Sequence, residues 1–123
     1  MMENHSFDHF LGQYSEINPM VDGSNSSMCN SLDGVKYGKI CVTHDGLFHT
    51  LEPENFIFDN NQHIYDIPYG TSPKKSTVAT MNGFLKNFVR YRDKEHANEI
   101  MRGLNQSTLP VLYELAKEYA ISD

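Results

Sequence analysis

The first twelve residues of the chain, MMENHSFDHFLG (1–12), hold the pattern that decides its fold. Two apolar methionines give way abruptly to Glu3 and Asn4, which is typical of the end of a buried strand. Asp8 can then cap a short turn of helix that stops at Gly12. The stretch therefore predicts a strand that ends in polar side chains and leads directly into a short helix.

This strand end also predicts a ligand site, because ligands of open α/β sheets bind at the carboxyl ends of the strands. Glu3 and Asn4 would offer hard oxygen ligands to a divalent cation, and the amide of Asn4 could donate to a phosphate oxygen. These roles suit metal-assisted phosphoryl transfer. An adjacent Glu-Asn pair is nevertheless far more often a surface turn, so the pair alone is a weak signal.

Composition narrows the class of function. The 123 residues carry a formal net charge of -6, which argues against a nucleic-acid partner because such binding depends on phosphate neutralisation. A mean hydropathy of -0.52 and the absence of Trp predict a thin core. No apolar run approaches the length of a membrane span. Because Met1 does not resemble a natural start, secreted and cytoplasmic locations both stay open, and the oligomeric state is not indicated.

Residues 13–76 are predicted to form a long irregular loop insertion, since Gly and Pro turns punctuate them throughout. Short strands are predicted at 39–43 and 56–58. Long loops of this kind often bind ligands. Cys29 and Cys41 flank a loop rich in Gly and Ser, and their spacing is equally compatible with a disulfide and with two free thiols.

The next part of the chain has helical periodicity. Residues 77–92 place apolar side chains at helical spacing, which predicts a helix. Gly83 inside this segment disfavours a helix, so we expect a neighbour that packs closely against it. A looser segment at 93–103 follows and is compatible with a further helix.

A second clear helix is predicted after a cap at Ser107 or Thr108, with Pro110 in its first turn. Its buried stripe is predicted to comprise Leu112, Leu115, Ala116 and Tyr119. Residues 119–121 then turn extended and apolar, as at the start of another strand. The order of strand, insertion, helices and strand predicts part of an α/β domain, whose parallel strands need more flanking helices than this chain supplies.

Residues 1–12 resemble the ENRSFDHxxG opening of the phosphoesterase family, which includes bacterial and plant non-specific phospholipases C and some acid phosphatases. Similar segments follow in the family's order: an Asn-Pro…Asp-Gly loop at 17–23, MNGF at 81–84, and a stretch at 100–123 similar to VMxGF…LPVLxxLAxEFAVCD. The resemblance implies the alkaline phosphatase superfamily fold, a sandwich of parallel strands flanked by helices. Residues 1–123 would be the N-terminal part of one such catalytic domain.

The same resemblance implies roles for the opening residues. Glu3 and Asn4 would be metal ligands, with Asn4 also near the substrate phosphate. The cofactor would be a divalent cation, Ca²⁺ or Zn²⁺ above all. The substrate would be a phosphate ester or a phospholipid, and peripheral contact with a membrane is compatible with it. Residues 6–9 would support this corner structurally, and we expect no catalytic part for His5 or His9.

The chain departs from the family at one loop position. Many relatives carry an Asp-Pro-Gly-His segment whose His serves the active site, where this chain has Glu-Pro-Glu-Asn at 52–55. Asn55 could bind a phosphate by hydrogen bonding, but an amide cannot shuttle a proton near neutral pH. The alternative is an ordinary loop amide. His49 or His63 could take the place of the missing His by position.

The family's nucleophilic Thr or Ser is expected beyond Asp123, so no catalytic nucleophile is expected in this chain. Ser107 and Thr108 are better interpreted as helix caps. The prediction is a metal-dependent phosphoric ester hydrolase of the phospholipase C or acid phosphatase type, of which this piece alone would be inactive. The alternative is a degenerate, non-catalytic homologue that binds phospholipid or protein.

Overall fold

The computed structural model describes residues 5–33, 38–46 and 53–122. In these ranges the chain combines α-helices with one small antiparallel sheet. The elements are α1 (Phe7–Leu11), β1 (Cys29–Ser31), β2 (Lys39–Cys41), α2 (Ile57–Tyr65), α3 (Phe84–Tyr91) and α4 (Pro110–Glu118). The predicted mixture of helix and strand is therefore present, whereas these ranges contain no parallel sheet. None of the helices in them is both long and apolar enough to span a bilayer.

The described residues divide into two compact units. The α1–α4 unit contains 5–28, 42–46 and 102–122, and the α2–α3 unit contains 29–33, 38–41 and 53–101. Each unit is therefore assembled from segments that are distant in sequence.

The α1–α4 unit is built on an apolar cluster. Its buried members are Leu11, Tyr14, Tyr113 and Ala116. The rings of Tyr14 and Tyr113 meet edge to face, with their centroids 5.7 Å apart. Burial raises the pKa of Tyr113 to about 12, with a further contribution from the charge of Glu16. Aromatic packing between residues almost a hundred positions apart thus holds this unit together.

Helix α4 begins as predicted with Pro110 at its first position, but its capping and its buried face differ from the prediction. Leu109 occupies the N-cap position, and Thr108 instead donates its hydroxyl to the carbonyl of Gly46. Ser107 likewise donates to Asn105 rather than capping the helix. Both hydroxyls therefore bond loop residues before α4, one of them in a distant loop, instead of capping the helix.

The buried side of α4 is rotated from the predicted stripe. Tyr113 and Ala116 are buried, Leu112 is partly buried, and Leu115 and Tyr119 are exposed. The difference arises because the ring of Tyr113 packs against that of Tyr14, so the side of α4 that carries Tyr113 faces the core. Tyr119 has extended backbone angles, but no strand forms among residues 119–122.

The α2–α3 unit is held at one end by the β1–β2 hairpin. Cys29 lies opposite Cys41 in the antiparallel register, and a disulfide joins them, so the disulfide alternative is confirmed. The predicted strand at 39–43 is present as Lys39–Cys41. Thr43 belongs to the α1–α4 unit, where it makes an isolated parallel bridge with Arg102.

The predicted helix at 77–92 is wrong in its first half, because α3 begins only at Phe84. Asn30 on β1 explains the late start. Its side-chain oxygen accepts from the backbone N–H of Phe84 at 2.9 Å and that of Leu85 at 3.4 Å. Its amide donates to the carbonyl of Met81 at 2.8 Å, where the chain has a left-handed φ of 54°. A side chain from a distant strand therefore caps the helix.

Gly83 has the close neighbour that its position predicted. A Cβ atom there would collide with the carbonyl of Gln62, and the Cα of His63 would lie 3.2 Å away. The backbone of α2 thus passes directly against the start of α3, which only glycine allows.

The predicted strand at 56–58 is wrong, since Phe56 is the N-cap residue of α2 and the helix runs to Tyr65. Asp66 ends it in the left-handed conformation, with φ of 53°. Apolar periodicity missed this helix because its buried residues are polar, namely Asp59 and His63. The looser segment at 93–103 contains two short 3₁₀ turns, Lys94–His96 and Glu99–Met101.

Candidate functional site

The proposed metal ligands Glu3 and Asn4 lie outside the described residues, which begin at His5. Helix α1 starts immediately afterwards, and its N-cap is Ser6 rather than the predicted Asp8. Ser6 has extended backbone angles, and its side chain accepts from the backbone N–H of His9 at 3.2 Å. Asp8 lies two residues beyond the N-cap, inside the first turn, so its carboxylate is available for another contact.

Asp8 lies beside Ser24, whose hydroxyl and backbone N–H both favour the charged form of the carboxylate. Burial and the nearby charge of Asp22 raise the pKa of Asp8, and these two groups of Ser24 oppose that rise. The carboxylate is therefore held in a half-buried place by donors that favour its charged form.

Ser24 also meets His44, whose Nε2 lies 3.2 Å from its Oγ. Burial lowers the pKa of His44, against the opposing charges of Glu16, Asp8 and Asp45. Which of the two side chains donates in this hydrogen bond depends on the tautomer of the imidazole.

The order of the three side chains differs from that of a hydrolytic triad. In such a triad the His accepts the proton of the Ser, and the carboxylate orients the His. Here Ser24 lies between His44 and Asp8, so the carboxylate contacts the serine instead of orienting the histidine. Ser24 is also only 5% exposed, which withholds it from substrate. We name Asp8, Ser24 and His44 the α1 relay.

Two glycines make room for the α1 relay. A Cβ on Gly12 would collide with the Ser24 hydroxyl and lie 3.2 Å from the Asp8 carboxylate. A Cβ on Gly103 would lie 2.6 Å from Cδ2 of His44. Both positions need glycine because side chains of the relay pass directly over the backbone.

The other side of α1 is tied to the segment that follows residue 101. His9 Nδ1 lies 3.1 Å from the carbonyl of Arg102, and the carbonyl of His9 accepts from the N–H of Leu104 at 2.7 Å. Arg102 in turn pairs with Asp45 at 2.6 Å. His9 is thus hydrogen-bonded within this unit, and the expectation that it has no catalytic part stays a prediction.

Asn55, the second proposed substrate contact, belongs to the α2–α3 unit and is exposed just before α2. Its carbonyl accepts from the side-chain amide of Asn60 at 2.9 Å. Its role toward substrate stays a prediction. His49, which could replace the missing His of the family, lies outside the described residues.

His63, the other positional substitute, is buried inside its unit. Its Nε2 lies 3.0 Å from Oδ1 of Asn87, and its ring stacks on that of Phe84 at 4.8 Å. Burial lowers the pKa of His63, against the hydrogen bond to the side-chain oxygen of Asn87 and the charge of Asp59. A side chain enclosed in this way cannot reach a substrate, so its proposed substitution is wrong.

Sequence patterns missed Ser24 and His44, although a signal was present. Each lies beside an Asp-Gly turn, at 22–23 and 45–46, and such turns bring loop side chains back toward a helix. No group of three or more His, Cys, Asp or Glu side chains converges as a complete metal site within 5–33, 38–46 and 53–122.

The ENHSFDH opening at 3–9, the anchored helix α1 and the order of the downstream segments along the chain together indicate the class of phosphoric ester hydrolases. The chain belongs to the Phosphoesterase family, which it matches over residues 1–123.

Among curated proteins the whole chain is similar to plant phospholipases. It is 28% identical to non-specific phospholipase C6, 30% to non-specific phospholipase C1 and 30% to non-specific phospholipase C3, all from Arabidopsis thaliana. The alignments cover 100% of this chain but only 22%, 22% and 24% of those three proteins. The chain thus spans less than a quarter of the length of these relatives.

Proposed function

We propose that this chain supplies the first corner of the active site of a metal-dependent phosphoric ester hydrolase that acts as a phospholipase C. Membership of the Phosphoesterase family and similarity to proteins named non-specific phospholipase C support the reaction class. The observation that carries the proposal is the anchoring of α1, directly after Glu3 and Asn4. Both the α1 relay and the segment at 102–104 hold this short helix.

Glu3 and Asn4 are the residues that would hold the cation. A carboxylate oxygen and an amide oxygen are hard donors, which suits Ca²⁺ and is also compatible with Zn²⁺. When bound, the cation would supply Lewis-acid stabilisation of negative charge on the phosphoryl group. The side-chain N–H₂ of Asn4 would donate to a phosphate oxygen and orient the ester.

The α1 relay supports this corner from behind. It joins α1 to loops that carry residues 24 and 44, so the helix that follows Asn4 has little freedom to tilt. Positioning of this kind matters because small displacements of a metal ligand cost large factors in rate. Asp8, Ser24 and His44 are therefore positioning residues in this proposal.

The nucleophile is proposed to lie after Asp123 in the parent protein, as a Thr or Ser. Ser24 is not proposed for that role, because only 5% of its surface is exposed. The parent is proposed to have the parallel sandwich of the alkaline phosphatase superfamily. Residues 13–76 would then be an insertion within its catalytic domain.

The test uses the parent protein with the single change Glu3→Gln. Removal of one ligand charge should lower the hydrolysis of a phosphocholine ester by about 100-fold or more, by analogy with the losses seen when metal sites are altered. Glu114→Gln, on the solvent side of α4, is the matched control and should retain the rate. A chelator should abolish activity, and Ca²⁺ or Zn²⁺ should restore it.

Two outcomes would remove the proposal. A near-normal rate in Glu3→Gln would take Glu3 out of the metal site. An activity that is indifferent to the chelator would contradict metal dependence. A second candidate, favoured by Asn55 in place of the family's His, is a non-catalytic homologue that binds phospholipid or protein. It would be supported if the parent bound phospholipid but hydrolysed neither a phosphocholine ester nor a chromogenic phosphate.

A further inference from the structure

Helix α2 buries polar side chains and exposes apolar ones, which is the reverse of an ordinary surface helix. Its buried residues are Asp59 and His63, while Phe56, Ile57 and Phe58 at its start are exposed. Phe56 and Ile57 leave 70% and 72% of their surface in water. Three consecutive exposed apolar side chains are unfavourable in water unless they serve a contact.

Hydrogen bonds fix α2 in this orientation. Asp59 accepts from the Asn87 amide at 2.9 Å and from the Tyr91 hydroxyl at 3.1 Å. His63 bonds Asn87 from the next turn of the helix at 3.0 Å. Rotation of α2 to bury its apolar start would break these bonds and expose or orphan buried polar groups, which is costly. The apolar start is therefore presented outward by the fold itself.

An aromatic ring and a cation lie beside the apolar start. The rings of Phe58 and Tyr69 are 6.0 Å apart, and the guanidinium carbon of Arg90 lies 3.7 Å from the centre of the Tyr69 ring. In the described ranges no carboxylate pairs with Arg90. We name Phe56, Ile57, Phe58, Tyr69 and Arg90 the α2 surface.

A shallow hollow of about 480 Å³ adjoins Arg90. Its walls are Arg90, Tyr91, Arg92, Asp93 and His96. Arg92 also lies 3.6 Å from Glu54, so Arg90 is the cation with more capacity for a new anion. Asp93 also lines the hollow and Arg92 is paired with Glu54, so the hollow itself carries no net positive charge. Arg90 is its guanidinium without a carboxylate partner among the described residues, and this group can pair with a phosphate.

We propose that the α2 surface docks on the surface of an anionic phospholipid bilayer. Phe56 and Ile57 would enter the boundary between head groups and acyl chains, as apolar side chains of interfacial helices do. Tyr69 suits the head-group level because its ring has an apolar body and a polar tip. Arg90 would pair with lipid phosphate. The proposal deepens the proposed function, on which the choice of a lipid substrate rests.

Vesicle sedimentation tests the docking without any need for hydrolysis. The 123-residue chain and its parent are each spun with vesicles of phosphatidylcholine alone and of phosphatidylcholine with phosphatidylserine. Both proteins should bind the mixed vesicles more strongly. F56S/I57S should weaken binding about tenfold or more, because it removes the largest apolar groups from the contact. Arg90→Gln should weaken vesicle binding about fivefold, and only when phosphatidylserine is present.

The control is V111S/Y119S in the α1–α4 unit, whose side chains are 72% and 71% exposed. It removes similar exposed apolar surface far from the α2 surface in sequence and should leave binding unchanged. All the altered side chains are exposed, and circular dichroism would check that each variant folds like the original.

Four outcomes would overturn the proposal. These are absence of vesicle binding by the original chain, equal binding by F56S/I57S, and equal loss in the V111S/Y119S control. The fourth is binding by the chain but not by the parent, which would mean that the rest of the parent covers this surface.

Light scattering that showed a dimer abolished by F56S/I57S, without vesicle binding, would assign the surface to a second copy. A parent that binds vesicles but does not hydrolyse lipid would contradict the proposed function and leave the docking intact.

Discussion

The two units of the chain solve the same packing problem with opposite chemistry. The α1–α4 unit closes on apolar and aromatic side chains, with Tyr14 against Tyr113. Between α2 and α3 the other unit instead places a polar network, in which Asn87 connects Asp59 to His63. An apolar contact tolerates small shifts, whereas a buried polar network holds only when every partner is placed. We therefore expect the units to respond differently to the same kinds of change.

The largest effect should come from Tyr113→Ala in the apolar cluster. Loss of a buried ring leaves a cavity and should lower the free energy of unfolding by about 4 kcal/mol. Tyr113→Phe is the matched control. The buried Tyr113 hydroxyl has no hydrogen-bond partner among the described residues, so its removal should be neutral or slightly stabilising. Urea denaturation of both variants checks this, and a large loss in Tyr113→Phe would contradict the apolar description of the unit.

Asn87→Ala should have the next largest effect, in the polar network. It removes the amide that donates to Asp59 and the oxygen that meets His63, so two buried groups lose a partner at once. The expected loss is about 3 kcal/mol. Tyr91→Phe, which removes one bond to the same carboxylate, should cost about 1 kcal/mol. Equal losses in the two variants would show that Asn87 is not the centre of the network.

Removal of the Cys29–Cys41 disulfide should follow, with the change C29S/C41S. The bond joins residues 12 positions apart. Its loss should lower the unfolding free energy by about 2–3 kcal/mol through loop entropy. The effect should appear in the α2–α3 unit, where hydrogen exchange at the amides of Phe84 and Leu85 would report release of Asn30. Exchange that stayed slow there would separate the disulfide from the cap.

The smallest effect should be a pH dependence. Burial lowers the pKa of His63 below 6.5, so the unfolded chain binds the proton more readily in the window between the folded pKa and 6.5. Stability from this group is complete above that window and is lost as the pH falls through it. His44 contributes in the same direction. Urea midpoints at several pH values should therefore decline on acidification, and His63→Gln should flatten part of the decline; an unchanged slope would exclude His63.

The contrast between the units also explains what the sequence could predict. Apolar periodicity located α4 and its start at Pro110, because that helix buries apolar side chains. The same rule failed for α2, because its buried residues His63 and Asp59 are polar. Their shared partner Asn87 lies 24 and 28 positions further along the chain. Likewise Ser24 and His44 meet only after the chain has folded. Long-range polar pairing leaves no periodic signal, so these residues could not be found from spacing.

The proposed metal corner was predicted in a different way. Glu3 and Asn4 gave a weak signal as a residue pair, and the similarity of the whole opening to a family motif supplied the rest. What the motif could not predict was its support. Ser6 rather than Asp8 caps α1, and this leaves Asp8 to contact Ser24. One displaced cap thus created the α1 relay.

The cap that Asn30 provides for α3 bears on chemical ageing. The residue precedes Ser31, and Asn followed by a small residue is a common site of deamidation once the backbone is free to turn. Burial and three hydrogen bonds oppose that motion in the folded protein. If conversion to Asp occurred, the carboxylate could still accept from Phe84 but would face the carbonyl of Met81 without a hydrogen to give. Stored preparations that had partly unfolded would therefore accumulate a form whose α3 starts poorly, and mass spectrometry of the peptide that contains Asn30 would measure this history.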